Sequence, residues 1–408
     1  MLSTKRDPSL VIVLGGVLAA ANTAQAIEAS DILSVNAGPL VFRPRLTLAE
    51  QYNDNLFYQS QGSVHDFITV VHPELETWLG KGQGPSSLRF RYGLDSLFYA
   101  ENDLQNSTDH TFELTGVLKG ARLSSENHYT FQYLSSIYGG YATTEQGNIV
   151  QAETVDRYVY DLAHTVGYDI TERTRAYLQG TFNAIDFSKG VTLMDLNTTR
   201  GTVGFAFKAL PKTSFLGEVY YSQAAAGPNV PSMAKGPHAD FVGGFLGAEG
   251  QFTTRLKGSV RVGYESSEFA DGSGGSTSPV VEAALTAGFT EKTSASLTYS
   301  RRDTLSVQYA RQALTSDSVG LQFRQVFGAK GRLVATASGD YAVNDYGNQG
   351  YFSGRSDEHF RLGGALTYHM KLWLRASLAY EYEKLISSDP RALDYDVNRV
   401  TLSLAIGY

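Results

Sequence analysis

Apolar and polar side chains alternate along most of this chain. The clearest case is its end, where Val400, Leu402, Leu404, Ile406 and Tyr408 alternate with Thr401, Ser403, Ala405 and Gly407. A period of two marks a β-strand with one apolar face. From residue 40 onward the same unit recurs, an alternating segment of about 10–14 residues followed by a turn or loop. The pattern predicts strands over 40–52, 67–80, 87–100, 109–119, 127–136 and 156–168. It continues over 174–187, 198–209, 214–223, 239–249, 255–266 and 279–289. Six more follow at 294–304, 316–328, 332–343, 357–369, 372–384 and 397–408. The expected fold is all-β, a transmembrane antiparallel up-and-down β-barrel of about eighteen strands, an even number that returns both chain ends to one side. A barrel of about sixteen is the alternative, because 239–249 is glycine-rich and weakly patterned.

Short and long connections take turns. Pro211-Lys212-Thr213 and Thr290-Glu291-Lys292-Thr293 read as tight turns, as does Lys81-Gly82-Gln83-Gly84-Pro85. Longer, Gly- and Asn-bearing connections lie at 53–66, 136–155, 223–238, 267–278, 345–356 and 385–396. Short turns on one side and long loops on the other are the habit of membrane barrels. The 136–155 loop is the candidate to fold inward and narrow a pore; an extracellular cap is the other reading.

The parity of each strand sorts its residues. Leu88, Phe90, Tyr92, Leu94 and Phe98 share one face, as do Val203, Phe205 and Phe207, and Leu321, Phe323 and Phe327. Lipid is their expected neighbour. The opposite parity then lines a lumen with Arg89, Arg91, Arg157, Arg175, Lys257, Arg261, Arg302, Arg324, Arg361 and Arg375, and with the indoles of Trp78 and Trp373. Inward carboxylates such as Glu74, Glu76, Glu113, Glu218 and Glu265 are expected to pair with many of these cations. What remains is a wet, hydroxyl-rich wall with a basic bias, which favours anionic solutes.

Composition agrees with a barrel. The chain has 408 residues, 18% charged, with a formal net charge of -7 that argues against general nucleic-acid binding. Its 25 Tyr and 21 Phe supply interfacial aromatics. No internal apolar stretch reaches the roughly twenty residues of a spanning helix. There are no cysteines, which excludes thiol catalysis and disulfide scaffolding.

The two ends carry their own expectations. Lys5 and Arg6, the apolar run Leu10–Ala20 and the Ala24-Gln25-Ala26 motif resemble a cleaved secretory signal over 1–26. A short periplasmic segment over 27–39 would precede the barrel at 40–408. The terminal aromatic Tyr408 resembles the assembly signal on the closing strand of bacterial outer-membrane barrels. That implies the outer membrane as location, with its lipid, lipopolysaccharide and barrel-assembly machinery as partners.

Catalytic chemistry is not predicted. The eight histidines, at 65, 72, 110, 128, 164, 238, 359 and 369, fit no HExxH, GxSxG or metal-ligand pattern. Gly243-Gly244-Phe245-Leu246-Gly247 is flanked by strands rather than a helix, so it is no phosphate loop. No cofactor or metal is expected.

The start of the barrel adds a resemblance. Leu46–Tyr58 contains Tyr52-Asn53-Asp54-Asn55, and is followed by His72-Pro73-Glu74-Leu75, Leu88-Arg89-Phe90-Arg91-Tyr92, Tyr99-Ala100-Glu101-Asn102 and Asp109-His110. Over roughly 40–135 this resembles a β-barrel porin family found beside exopolysaccharide synthesis genes. The resemblance implies an outer-membrane conduit for a secreted polysaccharide, served by a synthesis complex and a periplasmic polysaccharide-export protein. The residues alone leave two alternatives open: a general or anion-preferring diffusion porin for small solutes, and a plugged barrel acting as a surface structural or adhesive protein.

Overall fold

The computed structural model describes residues 33–79, 86–138, 153–188, 194–228, 238–269, 275–305, 313–346, 354–389 and 394–407. The expected signal, the 80–85 turn, most of the 136–155 loop and Tyr408 lie outside them. Eighteen long strands form the wall. The first six are β1 (Leu40–Asn53), β2 (Asp66–Leu79), β3 (Ser87–Tyr99), β4 (Ser107–Lys119), β5 (Leu123–Leu134) and β6 (Arg157–Asp169). Then come β7 (Thr174–Phe187), β8 (Met194–Leu210), β9 (Thr213–Pro228), β10 (His238–Gln251), β11 (Leu256–Phe269) and β12 (Gly275–Thr290). The last six are β13 (Thr293–Leu305), β14 (Ala313–Phe327), β15 (Leu333–Tyr346), β16 (Ser356–Lys371), β17 (Leu374–Ser387) and β18 (Tyr395–Gly407). Each overlaps its sequence-predicted segment.

Every strand pairs antiparallel with its chain neighbours, and β18 pairs back onto β1 from Arg45↔Gly407 to Asn53↔Arg399. The sheet therefore closes and leaves no long open edge. A short strand at Val35–Ala37 folds back on Leu40–Phe42 at the start of the wall. The short turns 120–122, 170–173, 211–212, 252–255, 291–292, 328–332 and 372–373 gather at one end, the periplasmic end of such barrels. The first extracellular loop is 54–65.

The alternation predicted from sequence is the alternation of the wall. On β18, Val400, Leu402, Leu404 and Ile406 are exposed, while Thr401, Ser403 and Ala405 are buried. Val203, Phe205, Val219, Leu246, Val262, Leu321, Leu366 and Leu378 are likewise exposed on the outward parity. A water-soluble protein would have to cover such a band; a bilayer solvates it. Glu50 is an outward exception, and Thr69 Oγ1 donates to it at 2.8 Å.

Strand β10 is fully integrated, which decides for eighteen strands over sixteen. Its glycines have a packing reason. The Tyr220 side chain of β9 lies across inward Gly243, where a Cβ would sit 2.4 Å from Tyr220 Oη. Tyr177 of β7 covers Gly204 of β8 in the same way, with Cζ 2.1 Å from where a Cβ would be. Aromatic rings laid over strand glycines replace the missing side chains. β8 and β9 run past their expected extracellular ends. There Asp195–Thr198 pair in register with Ala224–Gly227, so backbone hydrogen bonds extend a ladder whose residue types no longer alternate between polar and apolar.

Candidate functional site

The inward face is recognisable because its side chains reach past their immediate neighbours. Arg200 on β8 lies 3.6 Å from Glu265 on β11, and Tyr177 on β7 donates to Glu218 on β9. Only the concave side of a curved wall brings such groups together.

One network spans β1 to β4. Arg43–Glu76 is 3.5 Å, Glu76–Arg89 3.6 Å, Arg89–Glu113 2.5 Å and Arg91–Glu74 3.7 Å, while Arg91–Glu113 and Arg45–Glu74 are in contact. Four arginines and three glutamates thus alternate in one chain. Trp78 sits beneath it, with the Arg43 and Arg89 guanidinium carbons each 5.7 Å from its ring centroid and its Nε1–H donating to Glu76. Arg89, Arg91 and Trp78 are therefore on the inward parity and bound into a stiff wall.

A second network spans β7 to β12. Arg261 stands 3.6 Å from both Glu218 and Glu282 and 4.0 Å from Glu249. The Tyr220 hydroxyl donates to Glu265 at 2.8 Å, and the Arg200 guanidinium covers its ring at 4.2 Å. The unit repeats two strands apart: a tyrosine, a glycine beneath it on the next strand, and a glutamate that holds its hydroxyl one strand further on.

The third network was missed in the sequence. Loop 54–65 enters the barrel beneath the extracellular mouth. Leu56, 3% exposed, packs on Ile68 and Tyr99 of the inner wall, and Tyr58 packs on the cluster of Leu385, Tyr395 and Val397. Arg399 Nη2 donates to Tyr58 Oη at 2.8 Å and Nη1 to Glu383 at 3.0 Å; Tyr395 donates to Glu383 at 2.9 Å. Tyr58 is the one non-glycine residue with positive φ, 51°, among the described residues. Burial pushes its hydroxyl pKa up, with the Arg399 charge opposing. The signal that could have found this loop is the apolar pair Leu56-Phe57 inside an otherwise polar connection.

The other predicted lumen residues divide. Arg175 lies over Gly167, donates to Ser124 Oγ at 2.7 Å and approaches Glu126 at 3.9 Å. Arg361 lies 4.0 Å from Glu383. Arg302 and Arg375 take the inward parity of β13 and β17. Lys257 and Arg324 take the inward parity of β11 and β14 and are exposed. Two expectations are corrected. Arg157 is 5% exposed and donates to the carbonyls of Ser136 (2.9 Å) and Val155 (3.0 Å), so it holds loop ends rather than lining a lumen. Trp373 lies in the 372–373 turn, one residue before β17, because the chain reverses there; its carbonyl accepts from Gly407 N–H at 2.9 Å.

The hydroxyl-rich lining is not even along the barrel. In the extracellular half, some inward positions form apolar clusters, Val155, Val159, Ile185 and Phe187 in one and Ala224, Ala239 and Phe241 in another, beside buried polar groups such as Asp66, Asp357 and Glu383. In the periplasmic half of β12–β18, the described inward residues include Thr286, Ser296, Thr336, Thr367, Ser377 and Ser403 and no carboxylate. Thr367 and Ser377 hydroxyls meet at 2.9 Å, one step above the in-register pair His369↔Arg375.

A closed antiparallel barrel of this size, apolar outside and polar within, is an outer-membrane β-barrel. The family described as "Putative beta-barrel porin 2" matches residues 240–408, from β10 to the C-terminus. That match falls on a different part of the chain from the resemblance read at 40–135. No curated protein matches the chain. Among solved structures, OpdK of Pseudomonas aeruginosa with vanillate is similar at 11% identity, covering 90% of this chain and 99% of that one, with a TM-score of 0.47. OccAB3 of Acinetobacter baumannii is similar at 11% identity, 90% and 99% coverage and a TM-score of 0.44. OccK2 (OpdF) of Pseudomonas aeruginosa in complex with glucuronate is similar at 10% identity, 90% and 98% coverage and a TM-score of 0.46.

Proposed function

We propose that the barrel is a passive diffusion channel for small solutes with a preference for anions. The observation that carries this is the pair of exposed, inward cations at the periplasmic mouth, Lys257 on β11 and Arg324 on β14, the latter within the β12–β18 arc whose other inward groups there are mostly hydroxyls and small residues. Most other inward arginines face a carboxylate within 4.0 Å and present little net field. Unbalanced cations in a narrow, low-dielectric passage raise the local anion concentration. The match to a porin family over 240–408 supports a channel rather than an enzyme. Loop 54–65, packed on the inner wall through Leu56 and Tyr58, takes up space inside the barrel and so favours small solutes over the polysaccharide that the sequence resemblance implies.

Planar-bilayer recording tests this. The purified barrel should carry a steady current whose reversal potential across a KCl gradient shows chloride preference. Lys257→Gln with Arg324→Gln should move that potential toward neutrality. A silent barrel, or a cation-selective one, would sink the proposal. Loss of secreted polysaccharide on gene deletion, with solute uptake intact, would replace it with polymer export.

A further inference from the structure

The periplasmic rim of the barrel is basic. At the periplasmic end, six of the seven described short turns hold an exposed cation: Arg122, Arg173, Lys212, Arg255, Lys292 and Lys330. The seventh, 372–373, is entered through exposed Lys371. Only Glu172 and Glu291 oppose them within those turns. The outward face near the extracellular end carries carboxylates held by tyrosines. There Tyr221 donates to Asp240 at 2.6 Å and Tyr341 to Glu358 at 3.0 Å.

The basic collar sits at a definite depth. Tyr168, Phe207, Phe289, Phe327 and Tyr368 are exposed on the outward face within a few residues of these turns. Such aromatics mark where hydrocarbon gives way to headgroups. The turns are two to five residues long, so their cations cannot reach far beyond that boundary. They also recur once per hairpin, about 10 Å apart around the rim, twice the interstrand spacing. A protein docked on one side would need a one-sided patch. A ring of single charges at headgroup depth matches a surface that surrounds the barrel.

We infer that this collar binds anionic phospholipid headgroups of the periplasmic leaflet, those of the phosphatidylglycerol class. The headgroup phosphate of a lipid beside the wall meets one turn at a time. Attraction by about one cation predicts a preference of about fivefold over a zwitterionic lipid. Salt weakens it, because the turns are exposed.

The test uses the full barrel in vesicles. Trp373 stands at this rim beside Lys371 and serves as the probe. Its fluorescence is quenched by lipids with brominated acyl chains, so brominated phosphatidylglycerol is competed against phosphatidylcholine to give a relative binding constant. The wild type should prefer phosphatidylglycerol about fivefold at low salt. The fourfold variant Lys212→Gln, Arg255→Gln, Lys330→Gln, Lys371→Gln should lose that preference. Heat-modifiable gel mobility shows whether the variant barrel is folded; if it is not, the salt dependence of the wild type decides. A wild-type preference that is absent or insensitive to salt, or one that survives in a folded variant, overturns the inference. An absent lipid preference accompanied by binding of an acidic periplasmic protein would assign the collar to that partner instead. None of these outcomes depends on what passes through the lumen.

Discussion

Asp54 accepts two hydrogen bonds from Asn398, one from its backbone N–H and one from Nδ2, both at 2.7 Å. Asp54 N–H donates back to the Asn398 carbonyl at 3.2 Å. These bonds join the top of β1 to β18, the pair that closes the barrel. Asn55 extends the staple: its Nδ2 donates to the Gln59 and Asp396 carbonyls at 2.7 and 2.9 Å. Asp54→Ala should leave two donors of Asn398 unpaired and cost about 1–3 kcal/mol at the seam. Heat-modifiable gel mobility would show the barrel opening at a lower temperature. An unchanged transition would mean the strand ladder alone closes the wall.

Tyr58 fixes the inward loop. Left-handed backbone at a bulky residue costs about 1–2 kcal/mol, which the contacts with Arg399 and Tyr395 must offset. Tyr58→Ala should release the loop and raise single-channel conductance with greater noise. The raised hydroxyl pKa gives a sign for pH. Below the ordinary tyrosine value of about 10 the group is protonated in both states and its contribution is fully present. As pH rises through the higher folded-state value that contribution is lost. Conductance should therefore be flat from neutral to mildly alkaline pH and change only in strong alkali. A step near neutrality would point to a different latch.

The glycines beneath Tyr177 and Tyr220 can be tested in the same way. Gly243→Ala would force Tyr220 away, and its Cβ would also sit 2.9 Å from the Tyr264 carbonyl oxygen, which cannot yield. At Gly204→Ala the three nearest atoms all belong to the Tyr177 side chain, which can swing aside. Overpacking of this kind costs about 1–3 kcal/mol, so Gly243→Ala should lower the refolding yield in detergent more than Gly204→Ala. Adding Tyr177→Ala to Gly204→Ala should recover part of the loss. Equal yields for both single variants would show that the wall relaxes at β10.

The strand count and outward faces could be read from the sequence because lipid imposes a strict period of two on one side of every strand. The charge networks were partly legible. Parity places Arg89, Glu76 and Glu113 on one face, but which carboxylate each arginine meets depends on the stagger between strands, which alternation does not encode. Arg157 shows the limit most clearly. Its parity is inward, yet its guanidinium serves two loop carbonyls, and nothing local to 157 announces that. The inward clusters around Ile185 and Phe241 escaped for a related reason. An apolar residue on the inward parity breaks the alternation, and without the neighbouring strands that pack beside it the break reads as noise.

The pairing of the arginines separates stability from selectivity. Glu113 touches Arg89 and Arg91 and is 9% exposed, whereas those guanidinium side chains are 29% and 35% exposed. Glu113→Gln would leave both arginines to Glu76 and Glu74 at 3.6 and 3.7 Å. With the exposed arginines still solvated, the cost should be about 1–3 kcal/mol rather than the larger value for a dry ion pair. The same change removes one negative charge from the wall and should increase chloride preference in bilayer recordings. Arg324→Gln should do the reverse, lowering chloride preference with little effect on the unfolding temperature, because Arg324 is exposed. If Arg324→Gln destabilises the barrel and leaves selectivity alone, the field that guides anions does not come from the periplasmic arc.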